Sequence, residues 1–126
     1  MGFLDRFNAA QHAELLEQWE VLDESVALEQ LAEISHQKPV VIFKHSIRCG
    51  ISSMVKNQLE SDWDFSEKDL EFYYLDLINK RAISNAVADE FGVIHQSPQI
   101  IVLKNGKAVY DTSHHMVSVR AIRQAL

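Results

Sequence analysis

Pro39 opens Val40-Val41-Ile42-Phe43, four apolar residues in a row with no polar partner between them. A strand with one wet face alternates, so a run that is apolar at every position predicts a central strand buried on both faces. Such a strand needs helices on each side, which makes a layered α/β domain the expectation. Ser46 to Cys49 reads as the turn after it, and Ile51, Met54, Val55 and Leu59 give a one-sided apolar face for a helix through about Asp62.

The remaining segments fit around this pair. Trp19-Glu20-Val21-Leu22 reads as a short edge strand, and Asp23 or Ser25 can cap a helix carrying Leu28, Leu31 and Ile34 and ending near His36. Leu70 to Asp76 is rich in aromatics and reads as a strand. Ala82, Ile83, Ala86, Val87 and Phe91 recur at helical spacing, and Gly92 stands where a helix takes a left-handed stop. Asn105-Gly106 between Gln99–Leu103 and Ala108–Tyr110 predicts an antiparallel hairpin. Val117, Ala121, Ile122 and Ala125 complete a last helix, so the order is β-α-β-α-β-α-β-β-α. Residues 1–18 read as a mixed, weakly amphipathic N-terminal extension that is not assigned to the core, with packing as a short helix one reading of it. The whole of residues 1–126 is expected to form a single domain, since this length supports a core without staples.

Composition excludes several classes of function. A net charge of −6 with scattered basic residues argues against nucleic acid as a partner. No apolar run reaches bilayer length, and Met1-Gly2-Phe3-Leu4-Asp5-Arg6 has neither a secretory apolar core nor a myristoylation serine or threonine. A cytoplasmic location without membrane contact is therefore expected, and a single cysteine suits a reducing compartment. Trp19, Trp63, Phe72 and Tyr74 read as core or half-buried sheet residues with no chemical role.

That cysteine, Cys49, stands between the central strand and the helix after it. A thiol at a helix start meets orphan backbone N–H groups and the positive end of the peptide dipoles, which favours the thiolate, and Lys44 and Arg48 are expected to add positive charge. A depressed thiol pKa gains little in attack rate, because nucleophilicity falls with it. Its larger value is that the sulfur leaves readily from a mixed disulfide. Ser52 follows three residues on, one helical turn away, where a second cysteine would make an internal disulfide. Its hydroxyl either donates to the Cys49 thiolate or bonds locally to the backbone. A lone sulfur thus implies transfer of a thiol group rather than internal oxidation. Adjacent His114 and His115 with one distant cysteine do not make a zinc site, and no metal is expected.

The order of elements, the placement of Cys49 and the proline before the hairpin together make the chain resemble the thioredoxin fold, from about residue 19 onward. More closely, it resembles the monothiol bacilliredoxin family, in Lys44-His45-Ser46, Cys49-Gly50-Ile51-Ser52, His95-Gln96-Ser97-Pro98-Gln99 and Ser113-His114. Gly50 and Gln96 replace the proline and glutamate usual in that family. Gly50 also gives a likeness to the Cys-Gly-Phe-Ser motif of monothiol glutaredoxins, which share an iron–sulfur cluster with glutathione. The glutaredoxin Thr-Val-Pro segment and Gly-Gly turn are replaced here by Gln96-Ser97-Pro98 and Lys104-Asn105-Gly106.

The bacilliredoxin resemblance implies a central mixed sheet flanked by helices with a C-terminal hairpin and helix. It also implies removal of bacillithiol from protein mixed disulfides, with Cys49 as nucleophile and Ser52 beside it as the second catalytic residue. By the same resemblance Pro98 is a cis proline, and Ser97 pairs its backbone with the bound partner. Lys44, Ser46, Gly50, His95, Gln99 and His114 complete the implied substrate site, although a loop histidine such as His95 is more often a solvated surface group and Ser113 also reads as an N-cap serine opening the final helix. Bacillithiol is the implied co-substrate, with no tightly bound cofactor. An iron–sulfur cluster enters only in the glutaredoxin-like alternative. The implied partners are a low-molecular-weight thiol and S-thiolated proteins.

Overall fold

The computed structural model describes residues 15–126, so most of the N-terminal extension, residues 1–14, lies outside the described residues. Leu15 and Leu16 pack against the core, and the Gln18 side chain donates to Ser66 O and accepts from Trp63 Nε1. The elements are β1 (Trp19–Val21), α1 (Leu28–Ile34), β2 (Val40–His45), α2 (Gly50–Asp62), β3 (Glu71–Asp76), α3 (Arg81–Phe91), β4 (Gln99–Lys104), β5 (Lys107–Ser113), a 3-10 turn (His114–Met116) and α4 (Val119–Ala125). This is the order read from the sequence, with the 3-10 turn added.

The five strands form one sheet in the order β1-β3-β2-β4-β5. β1 and β2 run parallel to β3, whereas β2 pairs with β4, and β4 with β5, antiparallel. The non-alternating run at Val40 to Phe43 is explained by this position, for all four side chains are fully buried and divide between two cores. Val41 and Phe43 join Val55 and Leu59 of α2 and Ile122 of α4 on one face. Val40 and Ile42 join Leu31 of α1 and Val87 of α3 on the other.

Local signals terminate the elements largely as read. Gly92 ends α3 with φ 65° and ψ 35°, the left-handed conformation that costs glycine nothing, and its N–H donates to Ala88 O. Asn105 and Gly106 have φ of 53° and 80°, as a two-residue hairpin turn requires. Two caps differ. Asp23 does not cap α1; it accepts from the Ser25 N–H and hydroxyl, and Ala27 is the N-cap, its N–H donating to the Gln30 side chain. α4 is capped by Ser118, whose Oγ accepts from Ala121 N, rather than by Ser113.

The buried face of α2 also differs from its apolar pattern. Val55 and Leu59 are buried as expected, but Ile51 and Met54 are 37% and 54% exposed, and Ser52 and Lys56 take the inward positions. Residues 52, 55, 56 and 59 form an i, i+3, i+4, i+7 stripe, rotated slightly from the stripe that hydrophobicity alone selects. Ser52 and Lys56 occupy it with partners, as buried polar side chains must.

Candidate active site

β2 ends at His45, and the turn that follows delivers Cys49 as the N-cap of α2. The turn is held twice. Cys49 N donates to Ser46 O at 3.1 Å, and Ser46 N donates to Ser52 Oγ at 3.0 Å. Cys49 has extended backbone angles, φ −107° and ψ 119°, and its half-exposed thiol makes no capping hydrogen bond. Ser52 is fully buried. Its oxygen accepts from the loop backbone, so a local backbone bond is formed, and accepting it does not occupy the O–H as a donor.

Two further segments meet α2 at this end of the sheet. Lys44 of β2 is opposite Gln99 of β4, which brings the chain just before β4 alongside the turn that carries Cys49. There the Ser97–Pro98 peptide is cis, and Pro98 O accepts from His114 N at 2.9 Å. His114 opens the 3-10 turn with φ 56°, unusual for a non-glycine residue, and that turn packs against α2. Cys49, Ser97-Pro98 and His114 are thus drawn to one edge from β2, β4 and the end of β5. Ser97 lies ahead of β4 and outside its ladder, and its Oγ is buried without a hydrogen-bond partner among the described residues. An unpaired buried hydroxyl is costly unless a ligand completes it.

Three of the expected site residues have defined contacts within the fold. Lys44 does not place its charge beside the thiol. Its side chain points to the sheet face covered by α1 and α3, opposite the face on which α2 packs. There its fully buried Nζ donates to Ser84 O at 3.1 Å and lies 3.2 Å from His95 Nδ1. Burial lowers its pKa to about 8. Gln99 is fully buried as well; its amide donates to Ile94 O at 2.9 Å and accepts from Gln96 N at 3.3 Å, bracing the loop before Pro98. Ser46 acts through its backbone in the turn. Gly50 and Arg48 are exposed beside Cys49, and His95 is half-buried with its pKa lowered by burial and then by the charges of Lys44 and Arg81.

The sequence reading missed two polar pairs next to this site. His45 Nδ1 lies 2.7 Å from the Tyr74 hydroxyl inside the sheet, and Ser84 Oγ lies 3.3 Å from His95 Nδ1. Their signal was present in Lys44-His45, two polar residues ending a buried strand, since adjacent strand residues face opposite sides and each needs a partner there. No cluster of three or more possible metal ligands occurs among the described residues, nor is any described helix long and apolar enough to cross a membrane.

Comparison with solved structures finds the same architecture. A protein described as an oxidoreductase candidate with a thioredoxin fold superposes with a TM-score of 0.68 at 29% identity, over 85% of this chain and 92% of that one. The thioredoxin of Malassezia sympodialis matches with a TM-score of 0.64 at 23% identity, covering 84% and 89%. Thioredoxin f from spinach chloroplast matches at 0.62 and 18%, covering 85% and 88%. The fold is therefore thioredoxin-like. The profile of the monothiol bacilliredoxin BrxC family matches residues 20–122, which take in the whole sheet, Cys49 and the Ser97-Pro98 loop. A thioredoxin-like thiol oxidoreductase with one cysteine is what these features describe, and the chain belongs to the monothiol bacilliredoxin family.

Proposed function

We propose that this protein removes bacillithiol from protein mixed disulfides in the cytoplasm, using free bacillithiol as co-substrate and no tightly bound cofactor. The observation that carries the reading is the lone half-exposed sulfur at the N-cap of α2, with a serine that braces the turn in the place of a resolving thiol. In the first step the Cys49 thiolate attacks the bacillithiol sulfur of the substrate disulfide. A Cys49–bacillithiol bond forms, the original disulfide breaks, and the electron pair leaves on the protein thiolate. Because Ser52 cannot supply a second sulfur, the adduct waits for an external thiolate. Free bacillithiol attacks its own half of the adduct, restores Cys49 as thiolate and departs as bacillithiol disulfide.

The surface around the thiol supports a protein as the first substrate. Of the six large apolar residues exposed among the described residues, Ile47, Ile51 and Met54 flank Cys49 in sequence, Ile94 lies in the loop before Pro98, and Met116 lies in the 3-10 turn. Only Val109 lies elsewhere. Apolar side chains gathered on one edge are suited to docking a protein segment, and Ser97 is the residue at which an extended segment would pair its backbone.

Intact-mass measurement of the reduced protein after mixing with a bacillithiolated protein or bacillithiol disulfide tests this. The expected result is a single bacillithiol adduct, absent from Cys49→Ser, not formed with glutathione disulfide, and reversed by free bacillithiol. Absence of an adduct from both bacillithiol donors sinks the reading.

A further inference from the structure

β1, β2 and β3 run parallel and end at Val21, His45 and Asp76, and all three of these residues line one cavity of about 440 Å³. The crevice beyond the carboxyl ends of parallel strands is where α/β sheets bind ligands, and this volume is that of a small-molecule site. Ile47, from the turn that carries Cys49, and Lys56 of α2 also line it. A smaller adjoining cavity, of about 180 Å³, shares His45, Ile47 and Lys56 and adds Ser53 and Asn57 of α2. Cys49 stands on the same helix ridge, because residues 49, 53 and 57 are spaced four apart, and Ser53 N donates to Cys49 O at 3.1 Å. Neither cavity includes a residue of the loop before Pro98. β3 and β4 flank β2 on opposite sides, so the cavities and that loop lie on opposite sides of the strand leading to the thiol.

The lining states the kind of ligand it suits. Among the described residues, the charged side chains of the larger cavity are Lys56, Lys80 and Asp76. Asp76 is engaged by its own turn, Oδ1 accepting from Ile78 N and Asn79 N, and Oδ2 from the Asn79 amide. The lysines pair with Glu60 at 3.2 Å and Glu24 at 2.8 Å, and an ammonium has three donors, more than one such pair requires. His45 and Tyr74, 2.7 Å apart through Nδ1 and the hydroxyl, add an imidazole and a phenol to the wall. Two cations beside hydrogen-bonding rings, in a chain of net charge −6, favour a small molecule with carboxylate and hydroxyl groups.

We propose that the low-molecular-weight thiol binds in these adjoining cavities, on the β3 side of Cys49, with a carboxylate held at Lys80 and Lys56 and its hydroxyls at the His45 and Tyr74 wall. Ile94, Ser97-Pro98 and Met116 are then left to the protein substrate. The proposal rests on the reading, made above, that Cys49 exchanges such a thiol with a protein. It departs from the ligand site that the family resemblance implies, for Lys44 and Gln99 are fully buried on internal partners and line neither cavity.

The test is a titration of Cys49→Ser with reduced bacillithiol, followed in backbone ¹H–¹⁵N spectra, since this variant keeps the cavities and forms no mixed disulfide. The amides of Ile47, Ser53, Asn57, Asn79 and Lys80 are expected to shift. Shifts confined to residues 94–99 and 113–116, or none at millimolar thiol, overturn the proposal. A second readout is the preference of Cys49 for bacillithiol disulfide over the uncharged bis(2-hydroxyethyl) disulfide. Lys80→Gln, at a partly exposed side chain, is expected to lower that preference about three- to tenfold, the worth of one hydrogen bond. An unchanged preference overturns the role of Lys80. A wild type that forms no adduct with either disulfide sinks the proposed function, while the spectra of Cys49→Ser still decide where the thiol binds.

Discussion

The residue that follows Cys49 is glycine here and usually proline in the family it resembles, and the local geometry tolerates either. Gly50 is the first residue of α2, where a missing N–H costs no helical hydrogen bond. A Cβ built on it meets nothing within 4 Å. Cys49, with φ −107° and ψ 119°, already has the extended backbone that a following proline imposes. Gly50→Pro should therefore stabilise the fold by about 0.4–1 kcal/mol, mainly by restricting the unfolded chain, which a rise in the denaturant midpoint would show. A lower midpoint would mean that the turn before α2 needs a conformation proline denies it. Ser52 shows the limit of reading single residues from a motif. It was legible as the stand-in for a resolving cysteine, but its bond to Ser46 N comes from the path of the 46–49 turn, and that path is set by where β2 ends.

Among the elements, the hairpin between β4 and β5 was the most legible, because Asn-Gly satisfies a turn that needs positive φ at both positions. The packing of that turn was not legible. Asn105 N donates to Ser35 O and Gly106 N to Ser35 Oγ, tying the hairpin to the end of α1 some seventy positions away in sequence. A Cβ on Gly106 would also lie 3.3 Å from His36 Nε2. Gly106→Ala adds a crowded contact to a left-handed residue and should cost about 1–2 kcal/mol, read as a lower midpoint in urea. A neutral result would show that His36 swings away and the turn relaxes. α2 gives the opposite lesson, since its apolar residues were visible but its buried stripe was not. Ile51 and Met54 are turned outward near the thiol, while Ser52 and Lys56 face inward. Hydrophobicity selects the face with the most apolar surface, whereas the structure selects the face whose polar members have partners, Lys56 pairing with Glu60 at 3.2 Å.

For the whole molecule, the buried Lys44 links stability to pH in a direction opposite to that of a paired surface lysine. Its pKa falls from 10.5 to about 8 on folding, so between these values the unfolded chain binds a proton that the folded chain has released. Stability from this group therefore rises with pH across that window. Between pH 7.5 and 10 the gain is about 2 kcal/mol. Tyr73 works the other way and later: burial, then the charges of Glu71 and Glu20, raise it from 10.0 to about 12, so its contribution is lost above pH 10. Urea midpoints of the wild type and Lys44→Met should converge or cross as pH rises through this range. Parallel curves would show that Lys44 keeps its proton, or loses it equally in both states.

The sequence by itself determined the order of elements, the central strand, the hairpin turn, the left-handed stop at Gly92 and the single sulfur at a helix start. Each depends on local backbone preference or on the pattern of burial along one element, and these are written within a few residues of chain. Only the tertiary structure decided that Lys44 serves the far face of the sheet, that Gln99 braces a loop, that Ser84 and Lys44 hold His95, and that Ser97 Oγ is left without a partner. The physical reason is that a polar side chain in a buried strand takes whatever partner the neighbouring elements bring to its face. Lys44 lies 40 positions from Ser84 and 51 from His95, and nothing local to any of the three specifies that meeting.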